Sequence, residues 1–345
     1  MLKKDTISVL IPTFNRANYL AQTIESVLSQ DHPDLEVIIS DNASTDGTRE
    51  LVQRYLKDPR VHYKRNERNL GLVANHKKAL EYSTGGYFLV MSDDDYFVDP
   101  CYLSKASRLI KDHPDLVMVY AQGHILYEGG QTMQELLLPF REVEQGKTIF
   151  MTRGTIRPLD FMLCNVLFRT DIARSFEPFS NEQNLSGDSE LFLKMCLAGR
   201  VGVIKDPATV YRVHPTSITH KIRQDPALLV HNLDHLIRPY QLAKRLKILT
   251  RDELRYWEKR VVLPEMRRTL FFSALNHKNM AGFVSSTIKA KCPNLYWRLM
   301  LNPKFCLRYR SARISRGLYY LVSGEYRREV ALERERDKSP HHGTA

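Results

Sequence analysis

Three consecutive aspartates, Asp93, Asp94 and Asp95, are the residues of this sequence best suited to carry chemistry. They follow an apolar and aromatic run, Tyr87–Met91, that is typical of a buried strand. Ionised carboxylates at such a position repel each other, and keeping them ionised there costs free energy unless a cation neutralises them. Mg²⁺ and Mn²⁺ prefer oxygen ligands and complete their shell with water and phosphate oxygens, so the cluster indicates a nucleotide-diphosphate site. The alternative is a solvated acidic turn that caps the next helix.

A second polar segment, Asp41–Thr48, follows another strand-like run, Leu35–Ile39. Asp41 is placed where a carboxylate accepts hydrogen bonds from a base or from ribose hydroxyls. The residues after it are typical of a turn and a helix start, so turn formation alone also explains this composition.

The elements that must position these residues alternate between strand and helix patterns. The predicted strands are residues 7–11, 35–39, 60–64 and 87–91, and the predicted helices are 17–30, 48–57 and 73–83. This alternation predicts an α/β fold with a mostly parallel, Rossmann-like sheet flanked by helices. Ligands of such sheets bind beyond the carboxyl ends of the strands. Four segments are therefore expected on one rim: residues 12–16, 41–47, 66–71 and 92–95.

The rest of the chain is less regular. We expect a helix over residues 100–111, a strand over 116–120, irregular loops over 128–158, a helix over 188–198 and strands over 201–204 and 209–213. Beyond residue 225 the pattern is helical. The expected domains are residues 1–224 and a helical C-terminal region, 225–345, with a disordered end from about residue 333.

The charge is concentrated in that C-terminal region. The chain has a formal net charge of +12, and residues 225–345 contain 24 Lys and Arg against 11 Asp and Glu. Such a surplus favours an anionic membrane surface or another anionic polymer, with a basic helical tail, a homo-oligomer contact or packing against the first domain as alternatives. No apolar stretch approaches the ~20 residues of a membrane span, and the first residues do not form a signal peptide. We therefore expect a cytoplasmic protein, peripheral at the inner face of the cell membrane.

Several segments, in their order and spacing, resemble family 2 glycosyltransferases of the GT-A fold over about residues 6–220. The segments that carry the resemblance are Ile7–Arg16, Ile24–Gln30, Asp41–Gly47, Ser92–Asp95, Gly187–Leu193 and Tyr211–Ser217. The resemblance implies a nucleotide-lining loop that contains Pro12, Thr13, Phe14 and Arg16. It also implies that Asp41 reads the base, usually uracil.

The aspartate triplet matches the D-x-D element of this family in more than one register. Asp94 and Asp95 therefore compete as the metal ligand, and Asp95 is the preferred one, with Asp93 and Asp94 facing the donor. The resemblance makes Asp188 the catalytic base, although the residue before it is Gly187 where the family often has an acid. A plain helix N-cap is the alternative role of Asp188.

Two residues near the end of the resemblance match positions that contact diphosphate or metal. These are Arg212, expected on the diphosphate, and His214, expected on the metal. The segment 160–170 resembles the acceptor-side wall of the family.

Together these features predict an inverting transferase that uses Mg²⁺ or Mn²⁺. It would move a sugar from a nucleotide diphosphate, by family habit a UDP-sugar, to a hydroxyl of a glycan or lipid-linked acceptor in cell-envelope synthesis. A sugar nucleotidyltransferase is the alternative, but it would be expected to carry a glycine-rich loop where Pro12–Arg16 has no glycine. A non-enzymatic protein that binds anionic polymers is the other alternative; no nucleic-acid-binding module is recognisable, so nucleic acid is not expected as a partner.

Overall fold

The computed structural model describes residues 2–127, 133–136, 138–153, 162–214, 217 and 225–314. Within them the chain forms two compact units. The first contains the described residues up to 217 and His231–Val261, and the second contains residues 225–230 and 262–314. The predicted boundary near Gln224 and the predicted disordered end from about residue 333 lie outside the described residues.

The first unit contains a mixed sheet of ten strands among the described residues. The strands are β1 Lys3–Thr13, β2 Leu35–Asp41, β3 Val61–Arg65, β4 Gly85–Val90, β5 Tyr96–Phe97, β6 Leu116–Tyr127, β7 Met133–Leu136, β8 Val143–Gln145, β9 Val166–Arg169 and β10 Arg200–Val213. Their order across the sheet is β3-β2-β1-β4-β9-β6-β10-β5, with β7 paired to β6 and β8 paired to β10.

The parallel part of the sheet confirms the predicted βαβ pattern. β1 lies between β2 and β4 and is parallel to both, and β3 is parallel to β2. Val9, Leu10 and Ile11 at the centre of β1 are fully buried. Strands covered on both faces are expected to be continuous runs of apolar residues, because neither face meets water.

The second half of the sheet is more regular than the sequence suggests. Residues 128–158 were expected to be irregular, but their described part contains β7, β8 and a helix. The two strands expected over 201–204 and 209–213 form the single strand β10, whose register against β6 shifts between Ile204 and Thr209. These elements are stabilised by pairing with distant strands, which local sequence patterns do not report.

Helices flank the sheet in the first unit, and the last four described helices pack on one another in the second unit. Those of the first half are α1 Ala17–Leu28, α2 Thr48–Gln53, α3 Leu72–Tyr82, α4 Tyr102–Asp112, α5 Gly146–Thr152, α6 Thr170–Ser175 and α7 Gly187–Cys196. The later ones are α8 Pro226–Asn232, α9 Asp234–Arg245, α10 Arg251–Trp257, α11 Leu263–Asn276, α12 Ala281–Lys291, α13 Pro293–Met300 and α14 Pro303–Ile314. No described helix is both long enough and apolar enough to cross a bilayer.

The first unit extends past the predicted boundary because of an aromatic anchor. Trp257 at the end of α10 is fully buried and stacks on Phe150 of α5, with 4.5 Å between ring centroids. Its indole Nε1–H donates to the Phe150 carbonyl at 3.0 Å. The change to a helical pattern, which places the boundary near residue 224, does not detect such a contact.

Several strands end at one edge of the sheet. β10 is parallel to β6, β6 and β4 are both antiparallel to β9, and β4 is parallel to β1. β1, β2, β4, β6 and β10 therefore run in the same direction. β3, parallel to β2, shares this direction. The segments that follow β1, β2, β3 and β4 lie at the same carboxyl edge, as the sequence predicts, and the segment that follows β10 joins them there.

Candidate active site

The aspartate turn after β4 is held in place by α1. The N–H of Asp95 donates to the Ser92 carbonyl at 3.1 Å, which closes the turn. The buried hydroxyl of Thr23 on α1 donates to the carbonyl of Asp95 at 2.7 Å and lies 3.1 Å from that of Asp93. The backbone is thus fixed at Asp93 and Asp95, on both sides of Asp94, and the three side chains have different partners.

Asp94 meets His214, which follows β10 directly. Its Oδ2 lies 2.7 Å from Nε2 of His214, and the imidazole is almost fully buried. The imidazole also stacks on Tyr19 of α1, with ring centroids 5.5 Å apart. One oxygen atom and one nitrogen atom that can bind a metal therefore face each other at the carboxyl edge. They belong to the segments that follow β4 and β10.

Asp95, the preferred metal ligand of the sequence analysis, is placed differently. Its side chain is 1% exposed, and its Oδ1 accepts the backbone N–H of Arg212 at 2.9 Å. The thiol of Cys164 is a further hydrogen-bond partner. Burial, and then the charge of Asp94, raise the pKa of Asp95 well above its usual range. This carboxyl group links the aspartate turn to β10 instead of facing His214.

Asp93 lies against the loop after β1. Its Oδ2 accepts the backbone N–H of Phe14 at 3.3 Å. Burial and the charge of Asp94 raise the pKa of the Asp93 carboxyl, while the cation of Arg16 acts in the opposite direction. A cation bound at this turn would offset the repulsion between these carboxylates.

The residues predicted to line the nucleotide occupy the end of β1 and the loop after it. Pro12 and Thr13 are buried within β1, whereas the ring of Phe14 is 41% exposed and Arg16 precedes the first turn of α1. Asn15 has a left-handed backbone with φ of 54°, a region that asparagine tolerates better than most residues. An exposed ring beside the aspartate turn is available for contact with a planar base.

The predicted base-reading residue, Asp41, is enclosed by protein groups. Its side chain is fully buried, and Oδ2 accepts the hydroxyl of Tyr63 at 2.5 Å and lies 3.2 Å from Nε of Arg65. Oδ1 accepts the N–H of Ser44 at 2.9 Å. Burial, and then the hydrogen bond to Asp41, raise the pKa of Tyr63. In this arrangement Asp41 orients Arg65 and the loop after β2.

The guanidinium of Arg212 packs against two aromatic rings beside His214. It lies 5.2 Å from the ring centroid of Tyr19 and 4.9 Å from that of Tyr96, and it donates to the side chain of Gln22. Stacking against two rings restricts a side chain that is otherwise flexible. The cation is thereby held at the carboxyl edge next to the Asp94–His214 pair.

Asp188 lies in the first turn of α7. Only Leu197–Gly199 separate the end of α7 from the start of β10, so the helix ends near the amino end of that strand. The Oδ1 of Asp188 accepts the N–H of Ser189 at 2.7 Å. Burial raises the pKa of Asp188 to about 6, against the opposing effects of that hydrogen bond and of the Arg153 cation. Such a carboxyl group is suited to exchange a proton near neutral pH.

The metal-binding atoms at the carboxyl edge are suited to a divalent cation that a substrate also binds. Among the described residues no group of three metal-ligating side chains occurs. The pair Asp94 and His214 supplies two donors, and Mg²⁺-type sites typically use one or two protein ligands with water and phosphate oxygens completing the shell. The residues present therefore fit a metal held jointly with a diphosphate, with Asp94 and His214 as its protein ligands.

Sequence reasoning missed several residues of this site. Arg65 is the last residue of β3 and is paired with Asp41 in the parallel register of β2 and β3. The rule that ligands bind beyond the carboxyl ends of the strands could therefore have identified it. Tyr19, Gln22 and Tyr96 had no comparable signal, because their roles depend on α1 and β5 meeting the end of β10.

The site and the sheet together define an α/β domain with an aspartate turn at its carboxyl edge. Residues 8–175 match the model of the family described as "Glycosyl transferase family 2". These residues, just under half of the chain, are similar to that family.

Two curated relatives are also described as glycosyltransferases. The chain is 43% identical over 93 residues to the putative teichuronic acid biosynthesis glycosyltransferase TuaG of Bacillus subtilis, which is 27% of this chain and 37% of that protein. It is 27% identical over 250 residues to the putative glycosyltransferase EpsE of the same organism, which is 71% of this chain and 84% of that protein. Against several other curated relatives the chain spans 55% to 62% of their length.

A solved structure shares the fold. The crystal structure of Staphylococcus aureus TarS 1-349 in complex with UDP-GlcNAc superposes with a TM-score of 0.59 at 17% identity. The match covers 94% of this chain and 92% of that one. The mixed sheet and the helices that follow it therefore have a counterpart in a glycosyltransferase structure.

Proposed function

We propose that this chain is an inverting, metal-dependent glycosyltransferase that uses a UDP-sugar as donor. The observation that carries the proposal is the Asp94–His214 pair at the carboxyl edge of a family 2 sheet, beside the cation of Arg212. UDP is the proposed nucleotide because TarS, a structural neighbour, is described in complex with UDP-GlcNAc. The proposed acceptor is a hydroxyl group of a glycan or lipid-linked acceptor of the cell envelope.

Different residues are proposed to bind different parts of the donor substrate. Phe14 is proposed to contact the base, Asp41 to act on it through Arg65, and Asp93 to face the ribose or sugar. Asp94, instead of Asp95, is proposed to bind Mg²⁺ or Mn²⁺ with His214. A metal bound there supplies positive charge against the leaving diphosphate, and Arg212 supplies a second positive charge beside it.

In the proposed transfer step, Asp188 acts as the general base. The oxygen of the acceptor hydroxyl forms a bond to the anomeric carbon while the bond from that carbon to the diphosphate oxygen breaks. The acceptor proton passes to the carboxylate of Asp188, and UDP leaves with the bonding electron pair. Attack on the face opposite to the leaving group inverts the anomeric configuration.

A donor screen tests the proposal. Purified full-length protein is incubated with UDP-, GDP- and dTDP-sugars in Mn²⁺, in Mg²⁺ or in excess EDTA, and thermal stabilisation and nucleotide release are measured. We expect UDP-sugars with a metal to stabilise the protein by about 2.7 kcal/mol at a hundredfold excess over Kd, and to release UDP slowly. Release of pyrophosphate from a nucleoside triphosphate and a sugar phosphate would favour a nucleotidyltransferase instead. Undiminished activity in EDTA would contradict the role of a metal.

The raised pKa of Asp188 predicts a pH dependence. The pKa in the folded protein is about 6, and only the ionised carboxylate accepts a proton. We expect kcat at saturating donor and acceptor to be constant above pH 7 and to fall tenfold per pH unit well below 6. A rate profile from pH 4.5 to 8.5 at constant ionic strength measures this. A flat profile down to pH 4.5 would contradict the assignment.

A further inference from the structure

The second unit carries an unusual combination of charge and exposed apolar side chains. Residues 266–314 contain ten Lys and Arg side chains and no Asp or Glu. Five large apolar side chains in the same stretch are exposed: Phe283, Trp297, Leu301, Leu307 and Ile314. Arg268, near the start of this stretch, pairs with Glu265 just outside it at 2.9 Å. The stretch itself contains no carboxylate, so its net positive charge attracts anions.

The exposed residues follow the helical repeat, so they form faces. On α13, Trp297 is 48% exposed and Leu301, one turn later and just beyond the helix, is 78% exposed, while Leu295 and Leu299 are buried on the other side. Packing within a single copy explains the buried apolar face of α13. It does not require the second apolar face, which is exposed to water.

The last described helix repeats this arrangement. On α14, Leu307 and Ile314 are two turns apart and are 59% and 66% exposed. Arg310 lies between them on the exposed side, and Phe305 and Tyr309 are buried on the opposite side. The face therefore alternates apolar and basic side chains.

Two of these helices share their exposed side. Nζ of Lys289 on α12 lies 5.0 Å from the ring centroid of Trp297 on α13. Tryptophan with a neighbouring lysine is typical of the interface between lipid headgroups and acyl chains, where the ring enters the apolar region and the ammonium meets phosphate.

We propose that this surface, formed by the exposed sides of α12, α13 and α14, docks the protein on an anionic lipid bilayer. The basic side chains would meet lipid phosphates, while the rings and aliphatic side chains would enter the headgroup region. Charge complementarity selects the bilayer over a second copy of the chain, because α12, α13 and α14 carry seven Lys and Arg and no Asp or Glu, so two copies would bring like charges together.

Vesicle co-sedimentation of the full-length protein tests the proposal. We expect binding to vesicles of phosphatidylcholine with 30% phosphatidylglycerol, but not to pure phosphatidylcholine, and weaker binding as salt is raised. Replacing Lys304 and Arg310 by glutamate is expected to lower the partition coefficient by about fivefold or more per residue. The double variant Trp297→Ser, Leu301→Ser is expected to lower it by about tenfold or more.

Matched controls come from the first unit. Leu246 is 54% exposed and Arg245 is exposed beside it, so Leu246→Ser and Arg245→Glu change the same residue types outside the surface. We expect both controls to sediment like the wild type. Circular dichroism and release of UDP in solution are expected to stay unchanged in every variant, which separates this proposal from the proposed catalytic function.

Three results would overturn the proposal. One is equal recovery with neutral and anionic vesicles, and another is wild-type binding by the variants of the surface. The third is a concentration-dependent oligomer that the Trp297→Ser, Leu301→Ser variant abolishes without any effect of vesicles, because the surface would then be an interface between copies of the chain.

Discussion

Replacing Asp94 by asparagine is expected to lower metal-dependent turnover about a thousandfold. Asp94 is the carboxylate that faces His214 at 2.7 Å. A metal at a leaving diphosphate is worth several kcal/mol in the transition state, and each 1.36 kcal/mol is a factor of ten in rate. Asparagine keeps the shape of the side chain but not its charge, so the fold is expected to be retained. The measurement is kcat/KM for the donor over a range of Mn²⁺ concentrations.

Asp95→Asn is the matched control for this prediction. The amide oxygen of asparagine can still accept the N–H of Arg212 that Asp95 accepts at 2.9 Å. We therefore expect turnover within about tenfold of the wild type and an unchanged Mn²⁺ requirement. The opposite pattern, an active Asp94→Asn protein and an inactive Asp95→Asn protein, would restore Asp95 as the metal ligand.

Replacing Asp188 by asparagine is expected to lower kcat by about 10²- to 10⁴-fold, the usual effect of losing a general base. The amide oxygen can still accept the N–H of Ser189, as the carboxylate does at 2.7 Å. Loss of a negative charge in the first turn of α7 is expected to cost only about 0.3 to 1 kcal/mol of stability. The measurement is single-turnover transfer to the acceptor, together with UDP and Mn²⁺ binding, which should be unaffected.

A control aspartate separates catalysis from helix capping. Asp171 lies in the first turn of α6 and accepts the N–H of Ile172 at 2.8 Å, the same local bond that Asp188 makes. It follows β9, which runs antiparallel to β4, so it lies at the opposite edge of the sheet. Asp171→Asn should leave turnover unchanged. Equal losses in both variants, or wild-type turnover of Asp188→Asn, would exclude Asp188 as the base.

The parallel half of the fold could be predicted from sequence because its determinants are local. The strands around Val9, Val37 and Leu89 are apolar runs bounded by turn residues, and each is buried as expected. The same rule placed the segments that follow β1, β2, β3 and β4 at one edge. Strands such as β8 and β9 could not be predicted, because their short segments are stabilised only by distant partners, β10 for one and β4 and β6 for the other.

The direction of side chains at the site could not be predicted either. The sequence offers Asp94 and Asp95 as equivalent neighbours, but the turn after β4 directs one carboxylate to His214 and the other to the backbone of Arg212. Likewise, the burial of Asp41 depends on Tyr63 and Arg65 closing over it from β3. These choices are made by tertiary contacts, so residue type and spacing identify the cluster but not the role of each member.

The most direct test is a crystal of the full-length protein grown with UDP and Mn²⁺ and measured for the anomalous signal of manganese. The account predicts one peak within about 2.0 to 2.3 Å of a carboxylate oxygen of Asp94 and of Nε2 of His214, in contact with the diphosphate. A peak bound by Asp95 instead, or UDP bound at another edge of the sheet, would contradict it.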